Sequence, residues 1–391
     1  MSKLYMEYLK RENTFLGMIG NILPDPDKIL EQNGNDLSIY RDLLIDPHLT
    51  ATILQRKMQV LQMGWEVESE SEQLRNEGIE IMRRFPMQNI MSQMLDSILY
   101  GFSVSEILWM KSNGKIVPTE IIAKPQEWFA FDKDNELKIV EGASTPLSRR
   151  GLNKLVEVPK YKFILARHQP TFSNPYGEKI LSRCYWPVKL KQSSIESWVQ
   201  LIEKFGIPYL IGVVSDTATP TEKEAVIDDL LEMIENNVAT RGVSQQIEIK
   251  EQTTYDVGQM FEKMVEFQNK EISKAVLSVT LTIDVGNSGS YKASDVHRQM
   301  LEYIGISDKK IIEGALNQMF DYYTELNYGT STSLSNRDKK IRVKLTKKER
   351  ITEETAGRDK ILSDIGINFS KDYFKKKYNL GDDDFELASM K

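Results

Sequence analysis

One cysteine, Cys184, stands in 391 residues, so no intrachain disulfide forms and no thiolate cluster holds a metal. A reducing compartment suits such a chain. Histidine is nearly as scarce: His48, His168 and His297 lie far apart and follow no HExxH or related zinc spacing. There is no Walker loop, no GxGxxG behind a strand and no GxSxG elbow, which removes the common nucleotide, dinucleotide and hydrolase chemistries. Asp382, Asp383 and Asp384 lack EF-hand spacing and read as part of a solvated tail. No apolar run reaches the ~18 residues of a membrane span, and the opening MSKLYMEYLKREN lacks the apolar core of a signal peptide. Basic residues are outnumbered as well: 51 against 57 acidic ones gives a net charge of −6, which excludes a globally basic DNA-coating protein. No catalytic constellation emerges, and neither a cofactor nor a membrane is expected.

What is present is alternating helix and strand. The N-terminal part reads as a mixed α/β unit, with a helix over about Thr50–Met63, a stop at Gly64 and a strand at Trp65–Glu68. His48 follows Asp-Pro at the head of that helix, a place for capping or packing, and His168 ends an apolar run with the same reading. A helix around Ile90–Leu99 then turns into strands Ser103–Met110 and Lys115–Ile122, joined by Asn113-Gly114, a strong hairpin signal. Asp132-Lys133-Asp134-Asn135 is the next turn.

The middle changes character. Residues 174–206 read as one long helix, 207–214 as a buried strand and 245–250 as another. Between the strands, Thr219 is placed as N-cap, Pro220 at the first helical position and Glu222 as the partner in a Thr-x-x-Glu capping box. The helix they start carries an apolar stripe from Val226 to Val238 and an acidic face of Glu222, Glu224, Asp228, Asp229, Glu232 and Glu235. Residues 256–282 read as a second long helix. Two long helices thus flank a strand–helix–strand cap too small to bury both its faces alone, so it packs on the body or on copies of itself. After a Gly/Ser/Asn tract a helix is expected from Asp295, interrupted at Gly305 and resumed behind Ser307. In residues 337–350, Ile341, Val343 and Leu345 alternate with Arg342 and Lys344: a strand with one basic face, either a solvated edge kept soluble by its charges or a nucleic-acid contact. A short helical unit and a polar tail close the chain.

Four stretches taken in order, RDLLIDPHLTATILQRKMQVLQMGWEVE, LYGFSVSEILW, NPYGEKILSRCYWPVKLKQSSIESWVQLIEKFGIPYLIG and EISKAVLSVTLTIDVGNSGSYKASDVHRQM, resemble the Mu-like family of bacteriophage portal proteins, over residues 36–330. The resemblance implies an α+β portal fold that assembles as a homo-oligomeric ring of about twelve subunits. Residues 1–185 would be the N-terminal wing, 186–206 the first stem helix, 207–250 the clip, 251–283 the second stem helix, 284–295 the tunnel loop and 296–391 the C-terminal wing helices and tail. The ring would sit at one capsid vertex of the virion after assembly in the host cytoplasm. It would pass double-stranded DNA without sequence specificity, and its partners would be the large terminase subunit, the major capsid or scaffold protein and neck or adaptor proteins. Beyond residue 330 the resemblance fades, so a long C-terminal crown is not expected.

On this reading Asn287, Ser288, Gly289, Ser290, Tyr291 and Lys292 face the DNA. Small polar groups and a single cation hold phosphates weakly, whereas each further neutralised phosphate would add affinity and slow passage. The acidic face of the clip helix would dock the motor. Two other readings differ in class. A phosphate- or nucleotide-binding enzyme would use Gly286–Gly289 as an anion cradle with Lys292, but a helix rather than a strand precedes the glycines. A generic head-assembly adaptor would share the acidity without needing two long helices around a cap.

Overall fold

The computed structural model describes residues 23, 25–34, 36–141, 155–205, 209–214, 217–236, 246–250, 255–278, 291–329, 340–347 and 353–378. Helices α1 (Lys28–Gln32) and α2 (Ser38–Leu43) lead into α3 (Pro47–Leu61). Helix α3 starts three residues before the expected Thr50 because Asp46 is its N-cap, accepting from the Leu49 N–H at 2.9 Å, and Pro47 supplies the first turn. Strand β1 (Gly64–Glu68) precedes α4 (Glu72–Arg84), α5 (Met87–Met94) and α6 (Asp96–Tyr100). Strands β2 (Phe102–Ser112) and β3 (Lys115–Lys124) form the expected hairpin, with Asn113 and Gly114 at φ of 50° and 78°, the left-handed pair that such a two-residue turn requires. Strands β4 (Phe129–Phe131) and β5 (Leu137–Val140) are joined by the Asp132 turn, whose carboxylate accepts from the N–H groups of Asp134 and Glu136 at 2.9 Å. Strands β6 (Leu155–Glu157) and β7 (Phe163–Arg167) complete this half.

Helix α7 (Ile180–Phe205) holds Pro187 in its interior. Then come β8 (Tyr209–Val213), α8 (Pro220–Asn236), β9 (Gln246–Lys250) and α9 (Tyr255–Leu277). A helix of 38 residues, α10 (Tyr291–Tyr328), is followed by β10 (Arg342–Thr346), α11 (Glu353–Asp364) and α12 (Lys371–Tyr378). All strand pairs are antiparallel, in sheets ordered β3-β2-β7, β4-β5-β6, β1-β10 and β8-β9. The main core is built from α3–α6, one face of the β2 sheet and the second half of α10, where Ile312, Leu316, Met319, Phe320 and Tyr323 are buried. A smaller aromatic core gathers Phe102, Phe131 and Tyr176 edge to face, with centroids 5.0–5.9 Å apart. Helix α9 packs on both α7 and α3, and α3 in turn packs on α10.

The break expected at Gly305 does not occur: α10 runs straight through it. A β-carbon on Gly305 would lie 2.9 Å from Cβ of Gln59, so the glycine is what lets α10 cross α3 closely. Replacing it with Ala gains about 1 kcal/mol of helix propensity but overpacks the crossing by about 1–3 kcal/mol. Thermal unfolding is expected to show Gly305→Ala no more stable than the parent and Gly305→Val several degrees less stable. An open site would instead make both variants as stable or better.

The basic strand is not a solvated edge. Ile341, Val343 and Leu345 are buried, β10 pairs with β1, and Arg342, Lys344 and Lys347 form ion pairs with Asp321, Glu68 and Glu302. Its outer backbone is covered by α10. Asn317 accepts from the Val343 N–H at 2.8 Å, Glu313 from the Leu345 N–H at 2.7 Å, and Lys309 donates to the Leu345 carbonyl at 2.8 Å. The same helix covers two further strands. Gln318 accepts from the Leu165 N–H of β7 at 3.0 Å, and Asn327 holds both the N–H and the carbonyl of Ile116 in β3, at 2.7 and 2.8 Å. Polar side chains of one helix thereby satisfy exposed edge groups of three strands.

Candidate functional site

Two regions carry the sequence-derived site. The first is the connection from α9 to α10. Helix α9 closes at Ser278, whose φ of 58° and N–H bond to the Lys274 carbonyl (3.0 Å) make a left-handed C-terminal cap. Asn287, Ser288, Gly289 and Ser290 lie outside the described residues. Tyr291 and Lys292 are helical, the first two residues of α10, so the expected loop 284–295 is shorter at its far end than the sequence implied. No breaker follows Gly289, and Lys292 and Ala293 favour helix.

The second region is the β8–α8–β9 cap. Its strands pair from Tyr209↔Lys250 to Val213↔Gln246. The capping box forms as read: Thr219 donates from N–H and hydroxyl to Glu222 Oε2 at 2.8 and 3.0 Å, and the Glu222 N–H donates back at 3.4 Å. Those two bonds hold the Glu222 carboxyl below its ordinary pKa, and they tie it to the start of α8. Glu224 and Asp228 are exposed, while Asp229, Glu232 and Glu235 belong to α8 with side chains outside the described set. Val226 is buried, but Ile227 and Leu231 stand 55% and 54% exposed, which leaves part of the apolar stripe uncovered among the described residues.

The remaining candidates are structural. His48 Nε2 sits 2.8 Å from the Ser273 hydroxyl, joining α3 to α9. His168 is buried with Nδ1 2.8 Å from the Glu178 carbonyl and Nε2 unpartnered. Burial pushes its pKa below 6.5, against the carbonyl bond, and the nearby Arg56 adds to the lowering. Because the folded state binds this proton less readily than the unfolded chain, the contribution is complete above pH 6.5 and is lost as pH falls from there towards the lower folded value. The melting temperature is expected to drop across that acid window, and His168→Gln should flatten the drop; an unchanged slope would remove His168 as its source. Burial pushes the Cys184 thiol up to about 12, so it is inert at neutral pH. Among the described residues no cluster of His, Cys, Asp and Glu could hold a metal ion, and no helix is long and apolar enough to cross a membrane.

Among the buried ionic contacts that sequence reasoning missed, one joins three helices. Arg56 of α3 donates from Nε and Nη2 to the two carboxylate oxygens of Asp308 in α10, at 2.8 and 3.0 Å, and from Nη1 to the Val276 carbonyl of α9 at 2.9 Å. The partners are separated by 252 and 220 residues, and no local pattern announces them.

A family model described as "Portal protein of Mu bacteriophage" matches residues 37–380. The chain belongs to the Mu portal protein family. Portal membership extends past residue 330, so β10 and the α11–α12 unit fall within the matched region, where the sequence resemblance had faded. The chain is 22% identical over 305 residues to the portal protein of Escherichia phage Mu, covering 73% of this chain and 57% of the relative. It is also 22% identical over 353 residues to the Mu-like prophage FluMu protein gp29 of Haemophilus influenzae, covering 85% and 64%. It therefore spans about three fifths of the length of these two curated relatives. Among solved structures, a chain of the virion of a native gene transfer agent particle is similar at a TM-score of 0.60 and 11% identity, covering 88% of this chain and 93% of that one. A chain of the neck of a native gene transfer agent particle computed with C12 symmetry matches at 0.60 and 10%, covering 92% and 95%. The α+β portal fold is thus shared along nearly the whole chain.

Proposed function

We propose that this chain is one subunit of the portal ring at a capsid vertex, through which double-stranded DNA enters during packaging and leaves during ejection. The observation that carries the reading is the match to the Mu portal family across residues 37–380. Twelvefold symmetry in the neck of the similar particle supports a ring of twelve. Helices α7 and α9 are the stem pair, β8–α8–β9 is the clip, and the connection between α9 and α10 is the tunnel loop. Ile227 and Leu231 support a clip completed by neighbouring copies. No cofactor is called for, and nothing favours the phosphate-binding enzyme over this role.

The acidic residues of α8 dock the large terminase subunit during packaging in the host cytoplasm, and the neck or adaptor proteins afterwards. Glu222 contributes least, because its carboxylate is already engaged by Thr219. Capsid or scaffold protein surrounds the ring in the virion. A net charge of −6 discourages DNA from adhering to the channel wall. Native mass measurement of the purified protein tests the assembly: a closed ring of about twelve copies is expected, and a monomer at every concentration would overturn it. Charge reversal at Asp228 and Glu232 tests the docking face, which is wrong if motor binding persists unchanged.

A further inference from the structure

We propose that Arg56 is a positioning residue that fixes the end of α9 to α10 and so sets the spacing of the two helices between which the DNA-facing connection hangs. Three observations meet at this side chain. First, its guanidinium grips Asp308 through two parallel bonds, at 2.8 and 3.0 Å, with the two side chains only 10% and 2% exposed. A planar fork against a carboxylate fixes direction as well as distance. Second, the remaining nitrogen donates at 2.9 Å to the carbonyl of Val276, one residue before α9 ends at Leu277. That carbonyl is among the last four of the helix and has no partner of its own within it, and a cation there also complements the helix dipole. Third, one turn along each helix from the Arg56–Asp308 pair, Gln59 meets Gly305 so closely that no β-carbon fits. The crossing of α3 and α10 is therefore set by contact on one turn and by charge on the next.

The surroundings make the tie demanding. Beside it lies a cavity of only about 10 Å³, lined by Ile53, Arg56, Lys57, Leu95, Ile98, Leu99 and Val276, with room for no more than about one water. If Asp308 loses its cation, little else is there to replace it. Lysine can neutralise Asp308 but, as a single point charge, cannot hold two oxygens and a carbonyl in one plane. Arg56→Lys hence separates charge balance from positioning. The double variant Arg56→Met/Asp308→Leu removes both charges and leaves no unpaired charge behind, so it keeps the fold while freeing the Val276 carbonyl from its tie.

The test compares assembled rings of the parent, Arg56→Lys and the double variant by amide hydrogen exchange, with DNA retention measured in filled particles. Both variants are expected to form rings. Exchange of the amides in 270–278 should rise by about tenfold or more, with β2 and β3 unchanged, and packaged DNA should leak. Unaltered exchange at 270–278 in Arg56→Lys overturns the proposal, as does an equal rise in β2 and β3, which would mean general loosening. The DNA arm rests on the portal reading given above and can fail separately. Faster local exchange with normal retention upholds the tie and counts against the DNA-facing role of the connection.

Discussion

Particles built from a chain lacking residues 286–290 are expected to contain normal rings and to lose their DNA. The deletion shortens the 279–290 connection from twelve residues to seven and stops short of Tyr291, where α10 begins. Changing loop length by this factor alters the closure term by about 0.5 kcal/mol, small beside the stability of a domain. The flanks keep their own support: Ile272 and Val276 are buried before the deletion and Leu301 after it. Assembly and melting temperature should therefore match the parent. DNA under pressure, by contrast, has to be held at the narrowest point, and small polar groups on a short tether are suited to weak contact with passing phosphates. Genome retention, measured as nuclease-protected DNA per particle, should fall severely. Failure of ring assembly would make the segment a subunit contact, and full retention would remove it from the channel.

Charging the second half of α7 should have a comparably large effect on assembly. Ile195, Val199 and Ile202 are 42%, 50% and 55% exposed at i, i+4 and i+7, a stripe at helical spacing that the chain itself leaves half open. In a ring the contact is heterologous, so this face meets a different face of the next copy. Covering the open halves contributes about 1 kcal/mol per side chain, whereas a glutamate at the same place brings a desolvation cost of several kcal/mol. The triple variant Ile195→Glu/Val199→Glu/Ile202→Glu is expected to fold, since none of the three belongs to the core, and to sediment as a monomer where the parent forms rings. Rings of normal size and stability from this variant would place the subunit contact elsewhere.

Sequence and structure agree best on features that neighbouring residues settle, although the starts of α3 and α10 were read a few residues late. The Thr219–Glu222 box and the Asn113-Gly114 turn are present as read, and the helix expected behind Ser307 buries Ile312, Leu316, Met319, Phe320 and Tyr323 at helical spacing. Each depends on groups within a few positions, or on a period along one helix. What escaped depends on chain segments that meet only after folding. The register Gly64↔Thr346 joins segments far apart in the chain, and once β10 is seen between β1 and α10, Lys344 and Arg342 become ion-pair partners of Glu68 and Asp321. Gly305 misled because a glycine placed for close approach looks, in one dimension, the same as a glycine placed as a stop. The candidate site divides in the same way. The punctuation of α8 was legible, while Arg56 and Asp308 are ordinary charged residues until three helices converge on them.

The lateral bonds from α10 to β10, β7 and β3 have a mechanical consequence. They spread over Lys309 to Asn327, about 27 Å of helix at 1.5 Å per residue. A thrust delivered along the axis from Tyr291 loads them in shear, all at once, instead of peeling them away one after another. The rod thus hands any push at its N-terminal end to several strands together, and no single bond has to withstand it alone.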